Sequence, residues 1–190
     1  MPYKLDSFDV VIAIVSYIAF ALSFKVNEFF NSWVLFSAGV SMVFLPAGVK
    51  LLCILVGRLP AVLGIFLASV LLAYDAWDSV TTLHTLEFVL FTIPSVGSYM
   101  FAVYVIAPLL RIQADLANLK YIHIVVLSLT ASMVNGFVHN LFYIALGITQ
   151  PNEYWAKSMA MVVGDFTGCF LVVAIAHFLI IMYKTYFRNE

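Results

Sequence analysis

Long apolar runs, separated by short polar segments, make up most of the chain. None of them shows the alternating pattern of an outer-membrane barrel strand. Lipid offers backbone N–H and C=O groups no partner, so apolar runs of about 20 residues predict transmembrane helices, which satisfy these groups internally. We expect a bundle of about six transmembrane helices, at roughly 8–24, 29–57, 60–75, 86–110, 121–148 and 156–184.

The composition also indicates a membrane protein. Hydrophobic residues make up 64% of the 190 residues and charged residues 10%, and the mean hydropathy is +1.06. Soluble domains average about 45–50% apolar and about 25% charged residues. We therefore expect a single all-α transmembrane domain over residues 1–190, surrounded by the lipids of a bacterial inner (cytoplasmic) membrane. The net charge of −1 and the lack of a basic stripe argue against a nucleic-acid partner.

The basic residues predict how the chain is oriented in the membrane. With six spans, one side of the membrane collects Lys4, Arg58, Arg111, Lys120, Lys184 and Arg188. The opposite side collects Lys25 and Lys157, and the span ends on that side carry Trp33, Trp77 and Trp155. Positive charge is retained in the cytoplasm, and indoles prefer the headgroup layer. We expect both termini to be cytoplasmic.

The second span contains three residues that are unusual at membrane depth: Pro46, Gly48 and Lys50. A proline inside a helix removes a hydrogen bond and bends the helix, so we expect the second helix to be broken at Pro46–Gly48. The break is either a packing kink or the end of a half-helix that faces a cavity. A buried cation costs at least about 2.5 kcal/mol. Lys50 therefore either extends towards the headgroups or meets an anionic partner.

Asp165 is the predicted partner of Lys50, because it is the carboxylate that lies well inside a span. Counted along their helices, the two residues differ in depth by roughly 7 Å, which a lysine side chain can largely bridge. The pair is either direct or bridged by water or by the anionic group of a ligand. Gly164 and Gly168 form a G-x-x-x-G step beside Asp165. This step indicates close helix packing, and it also leaves room for a ligand.

Asn135 and His139 complete the predicted ligand site. They are four residues apart in the fifth span and share a face of that helix. Asn135 lies near the depth of Asp165 and is a candidate hydrogen-bond donor to a small anionic group held near Lys50. His139 is either a further ligand contact or an ordinary hydrogen-bonded histidine near the outer interface.

Two sequence blocks resemble the first class of membrane-associated sensor domains, which are integral-membrane input modules of bacterial signalling proteins. The blocks are "FLPAGVKLLCILVGRLPAVLGIFLAS" (44–69) and "GDFTGCFLVV" (164–173). The positions that match the family pattern are Pro46, Gly48, Gly57, Arg58, Gly164, Asp165 and Gly168. The resemblance implies signal sensing or ligand recognition within the membrane; it does not imply catalysis by this module. No output domain follows residue 184 in this sequence, so we expect a partner protein to carry the output.

Three classes of function fit these features. A sensor or ligand-binding module is favoured, and the alternatives are the substrate-capture subunit of a small-solute transporter and a structural subunit of a membrane complex. An enzyme is not expected, since no nucleophile, base and oxyanion donors converge. Cys53 and Cys169 lack the spacing of a metal or redox pair, and we expect no metal and no cofactor.

Overall fold

The computed structural model describes residues 6–37, 40–77 and 85–187, and most of these residues are helical. The helices are α1 (Ser7–Val34), α2 (Leu45–Trp77), α3 (Thr85–Phe101), α4 (Ala107–Leu109), α5 (Tyr121–Ala145) and α6 (Tyr154–Phe187). A π-helical turn over Ala102–Ile106 joins α3 to α4, and a 3-10 turn over Pro151–Glu153 precedes α6. Between α1 and α2, the short strands β1 (Leu35–Ser37) and β2 (Val40–Ser41) pair antiparallel.

Five helical stretches in the described part of the chain are long and apolar enough to cross a membrane. They are Ser7–Phe30, Leu45–Tyr74, Phe88–Leu109, Tyr121–Ala145 and Pro151–Thr185. Large apolar side chains cover their outer faces; Val11 of α1 is 53% exposed and Phe178 of α6 is 61% exposed. Such a surface needs lipid rather than water around it. The predicted all-α fold is confirmed, and the described residues form five helices long and apolar enough to span a membrane, where about six were expected.

The break in the second predicted span is not where the proline predicted it. Helix α2 begins at Leu45 and continues through Gly48 and Lys50. Pro46 therefore lies in the first turn, where its missing N–H removes no helical hydrogen bond. The departure from helical geometry in α2 comes at Arg58, whose φ is 52° and ψ is −137°. A left-handed φ is costly for a residue with a side chain, so the backbone of α2 is strained at Arg58.

Residues 40–44, which we call the extended segment, lead into α2 without forming a helix. Their backbone packs on α6: the Phe44 N–H donates a hydrogen bond to the Gly164 carbonyl at 3.0 Å. Gly164 lies ten residues beyond Tyr154, which is about 15 Å along α6. The extended segment is thus at the depth of the interior of α6, well below the start of that helix.

Gly164 and Gly168 make this close approach possible. A Cβ atom at Gly164 would collide with the carbonyl oxygen of Ser41, and one at Gly168 would collide with the carbonyl oxygen of Phe44. The G-x-x-x-G step therefore receives the backbone of the extended segment, whereas such steps usually receive a second helix.

The buried interior forms two apolar clusters. The larger one joins α1, α2, α3, the π-helical turn, α5 and α6, and its fully buried members include Leu51, Ile54, Ile65 and Leu127. The smaller one contains Val40, Phe88, Phe91, Tyr143, Ala160 and Met161. Residues of both clusters line the cavity described below, which is where the polar site lies.

Candidate functional site

Lys50 is held inside the helix bundle and does not reach the membrane surface. Its side chain is 1% exposed, and its ammonium donates a hydrogen bond to Ser95 Oγ at 2.8 Å. The ammonium also lies over the Tyr99 ring, 4.6 Å from the ring centroid. Wider contacts to Phe44 and Phe20, at 5.6 and 5.9 Å, complete its surroundings. Of the two explanations for Lys50, extension towards the headgroups is excluded.

Asp165 is equally buried, with 1% of its surface exposed. Its Oδ2 atom accepts a hydrogen bond from Asn135 Nδ2 at 2.6 Å and another from the Tyr99 hydroxyl at 3.2 Å. A carboxylate that accepts two hydrogen bonds recovers part of the hydration it loses on burial. The prediction that Asn135 and Asp165 lie together is confirmed by this contact.

Tyr99 connects Lys50 to Asp165. The ammonium faces the ring and the carboxylate accepts from the hydroxyl, so one side chain contacts both charges. Among the described residues, no ion pair of 4.0 Å or less joins Lys50 to Asp165. The two charges therefore share one buried network through Tyr99, and neither is isolated in lipid.

A cavity of about 540 Å³ opens beside this network. Its polar lining includes Asp165, Asn135, His139, Ser95 and Thr92, and its apolar lining is rich in aromatic rings. Lys50 does not line the cavity; its hydrogen-bond partner Ser95 does. Cavities of about 300–1,000 Å³ with a few polar groups on an apolar wall are typical of small-molecule sites.

One end of the cavity is formed by the junction between α1 and the extended segment. Asn27, Glu28 and Ser41 line it there. Glu28 is exposed and pairs with Lys25 at 2.9 Å. The N–H of Leu45, at the start of α2, donates to Asn27 Oδ1 at 2.9 Å. Asn27 thus satisfies one of the free donors that a helix start leaves inside the bundle.

His139 lies in the cavity wall between two aromatic rings. Its imidazole stacks on Phe91 with centroids 5.9 Å apart and meets the edge of Tyr143 at 4.8 Å. Within the described ranges, its Nδ1 atom is buried and has no hydrogen-bond partner, and the same holds for Asn135 Oδ1. Buried polar atoms are nearly always hydrogen-bonded, so these two atoms indicate a missing partner in the cavity.

The structural residues of the predicted site have packing roles. A Cβ atom at Gly48 would lie 2.6 Å from Val172 Cβ and 2.8 Å from the Gly168 carbonyl oxygen, so Gly48 brings α2 against α6. Pro46 is buried in the first turn of α2. Neither residue lines the cavity, whereas Asp165 and Asn135 do.

Sequence reasoning missed Ser95 and Tyr99, which hold Lys50. Both come from α3, in the stretch "PSVGSYMF" (94–101), which combines a proline, two serines and a tyrosine inside an apolar run. Polar residues at this depth usually face the interior of a bundle. This group of polar residues in an apolar run could have identified α3 as part of the site.

Comparison of the chain with protein-family models, with curated proteins and with solved structures finds no match. The resemblance to membrane-associated sensor domains stays a prediction from two sequence blocks.

Proposed function

We propose that the protein is an integral-membrane sensor module that binds a small molecule in the cavity between α1, α2, α3, α5 and α6. The observation that carries this proposal is the pair of unpartnered buried atoms, Asn135 Oδ1 and His139 Nδ1, in the wall of a cavity beside Asp165. A cavity needed only for packing would be lined by apolar atoms and would stay dry. Buried polar atoms without hydrogen-bond partners in the wall favour a bound molecule that supplies those hydrogen bonds.

Binding of a ligand in the cavity would be transmitted to a partner protein by the extended segment and α2. The cavity is lined by Ser41 and Phe44 of the extended segment and by Asp165 of α6. A ligand that contacts both elements changes their relative stability only if it binds one arrangement better than another. In this proposal a partner protein in the membrane or cytoplasm responds to that change.

We also propose that the chain crosses the membrane six times, with α2 contributing two antiparallel crossings that meet at Arg58. A Cβ atom at Gly57 would lie 2.6 Å from Ile12, and one at Gly64 would collide with Ala13. Two positions seven residues apart in α2 thus meet the same level of α1, which favours a reversal between them. Both termini would then lie on one side of the membrane, and the basic residues favour the cytoplasmic side.

A second candidate function is the capture of a solute for transport. The observation that favours it is the start of α2 inside the bundle, preceded by the extended segment. Transporters use interrupted helices of this kind to form substrate sites near the membrane centre. Uptake of the bound molecule into vesicles that contain the purified protein would favour transport, and binding without uptake would favour sensing.

The binding function can be tested by filling the cavity. Ala73 lines the cavity and Ala174 lies exposed on α6, so Ala73→Phe and Ala174→Phe place the same ring inside and outside the site. Protein purified in mild detergent should release a small molecule on denaturation, and mass spectrometry should find it with wild type and Ala174→Phe but not with Ala73→Phe. Equal retention by all three proteins would contradict binding in this cavity.

A further inference from the structure

The cavity wall combines aromatic rings with acceptor atoms and a single deep charge. We propose that it binds an organic ammonium ion, with the protonated amine at Asp165 and the apolar body among the rings. This inference rests on the proposed binding function and adds the chemical class of the ligand. The rings that line the cavity are those of Phe20, Phe24, Phe44, Phe91 and Tyr143.

Apart from the Ser69 hydroxyl, which can donate or accept, the unpartnered buried polar atoms of the wall can act as acceptors. Both hydrogen bonds to Asp165 go to Oδ2, and no described residue donates to Oδ1. Asn135 uses its amide N–H on Asp165, which leaves its carbonyl oxygen without a donor. His139 Nδ1 is a third unpartnered atom, and in neutral imidazole one ring nitrogen accepts. An ammonium group brings three N–H donors and one positive charge, which suits this set.

The cation of the site, Lys50, does not line the cavity. Lys50 donates to Ser95 and lies over the Tyr99 ring, and the Tyr99 hydroxyl donates to Asp165. No lysine or arginine is found among the described residues that line the cavity. An anionic ligand, which the sequence suggested near Lys50, would therefore meet the Asp165 carboxylate without a positive partner in the wall. Like charges at close range cost several kcal/mol in ligand recognition, or about a hundredfold or more in affinity.

The size and lining of the cavity favour an organic cation over a metal ion. Hard metal cations prefer a close shell of six or more oxygen ligands. This cavity of about 540 Å³ is far larger than an ion and is lined mostly by carbon. Aromatic faces attract organic ammonium ions through their negative quadrupole, and the rings also bury the apolar part of such a ligand.

Three probes with the same aromatic body and different charge test the ligand class. Tryptamine is protonated near neutral pH, tryptophol is neutral, and indole-3-propionate is an anion. Titration calorimetry on wild-type protein in detergent, corrected with empty micelles, should show tryptamine binding about tenfold or more tighter than either other probe, as expected for one added charge pair. Equal or tighter binding of tryptophol or indole-3-propionate would overturn the ammonium proposal and leave the binding function intact. No binding of any probe would contradict the binding function itself.

One variant and a matched control test whether Asp165 causes the preference for tryptamine over tryptophol. Asp165→Asn keeps the shape of the side chain and removes its charge, so it should abolish the preference for tryptamine over tryptophol. The matched control is Asp115→Asn, the same change at an exposed carboxylate in the loop between α4 and α5, which should leave the preference unchanged. If the preference survives in folded Asp165→Asn, the amine does not bind where we propose. The wild-type comparison decides the ligand class even if this variant does not fold.

Discussion

Lys50 and Asp165 illustrate how two buried charges are stabilised without a direct ion pair. Ser95 accepts from the ammonium, Asn135 donates to the carboxylate, and Tyr99 contacts both. Each charge thus has a polar partner of its own, and the opposite charges compensate each other across the Tyr99 ring. Removing one charge leaves the other buried without compensation, which is typically more costly than removing both.

Exchanging each charge separately and together measures this compensation. Lys50→Met and Asp165→Asn should each lower the free energy of unfolding by about 3 kcal/mol or more, because each leaves an uncompensated buried charge. The double variant should lose less than the sum of the two single losses, since no buried charge remains. Denaturant titration of the four proteins in detergent measures these values. Additive losses would show that the two charges do not interact.

The polar centre of the site could be predicted in part from sequence. Asn135 was expected near the depth of Asp165, and the two are hydrogen-bonded. Depth is informative because polar side chains in apolar helices must find partners at their own level. The bridge through Tyr99 could not be predicted, because depth along a helix does not give the rotation of α3 about its axis. For the same reason, Lys50 was expected to face a ligand and instead faces Ser95.

At the scale of elements, the contact between the extended segment and α6 determines where α2 can start. Gly164 and Gly168 let the Ser41 and Phe44 carbonyls lie directly on the helix. The Phe44 N–H and the Leu45 N–H are then satisfied by the Gly164 carbonyl and by Asn27. Non-helical backbone at membrane depth is tolerated only where protein or water satisfies it, so both contacts are needed.

Alanine substitutions at glycines should distinguish this contact from general helix packing. Gly168→Ala should lower the free energy of unfolding by about 1–3 kcal/mol, because the added methyl group overlaps the Phe44 carbonyl and the backbone must shift. The control is Gly97→Ala in α3, where a Cβ atom would have no neighbour within 4 Å. That change should be neutral or stabilise the helix by up to about 1 kcal/mol. Equal losses in both variants, measured by thermal unfolding, would contradict the packing argument.

The extended segment could not be predicted from hydrophobicity. Its residues are as apolar as those of the helices around it, and in a membrane protein the period of 3.6 residues is lost where both faces of a helix are apolar. The sequence predicted a break at Pro46–Gly48, whereas Pro46 lies in the first turn of α2 and the non-helical backbone precedes it. Because a proline suits the first turn of a helix as well as a break within one, it did not show whether the irregular backbone preceded it or followed it.

At the scale of the whole molecule, the number of crossings decides which ends share a side of the membrane. Six crossings place the N-terminus and the loop that carries Asp115 on the cytoplasmic side and the turn that carries Asn152 outside. Five crossings would place Asp115 opposite the N-terminus. Asp115 and Asn152 are both exposed, so single cysteines at these positions report the side directly.

We expect Asn152→Cys to react with a membrane-impermeant maleimide in intact cells and Asp115→Cys to react only after lysis. Cys53→Ala and Cys169→Ala remove the native thiols from the background. A tag at the N-terminus, digested by protease only after lysis, fixes the reference side. Labelling of Asp115→Cys in intact cells, with the N-terminal tag protected, would contradict six crossings and favour five.

The contact of the extended segment with α6 also has a consequence for biogenesis. Residues 40–44 emerge from the ribosome long before Gly164 and Gly168, which lie more than 100 residues later in α6. Until α6 enters the bilayer, the Phe44 N–H has no Gly164 carbonyl to bind, and the surrounding lipid cannot replace it. The segment must therefore wait at the membrane surface or within the translocon. Docking of the extended segment is thus a late step, in which a helix synthesised later completes a structure begun before α2.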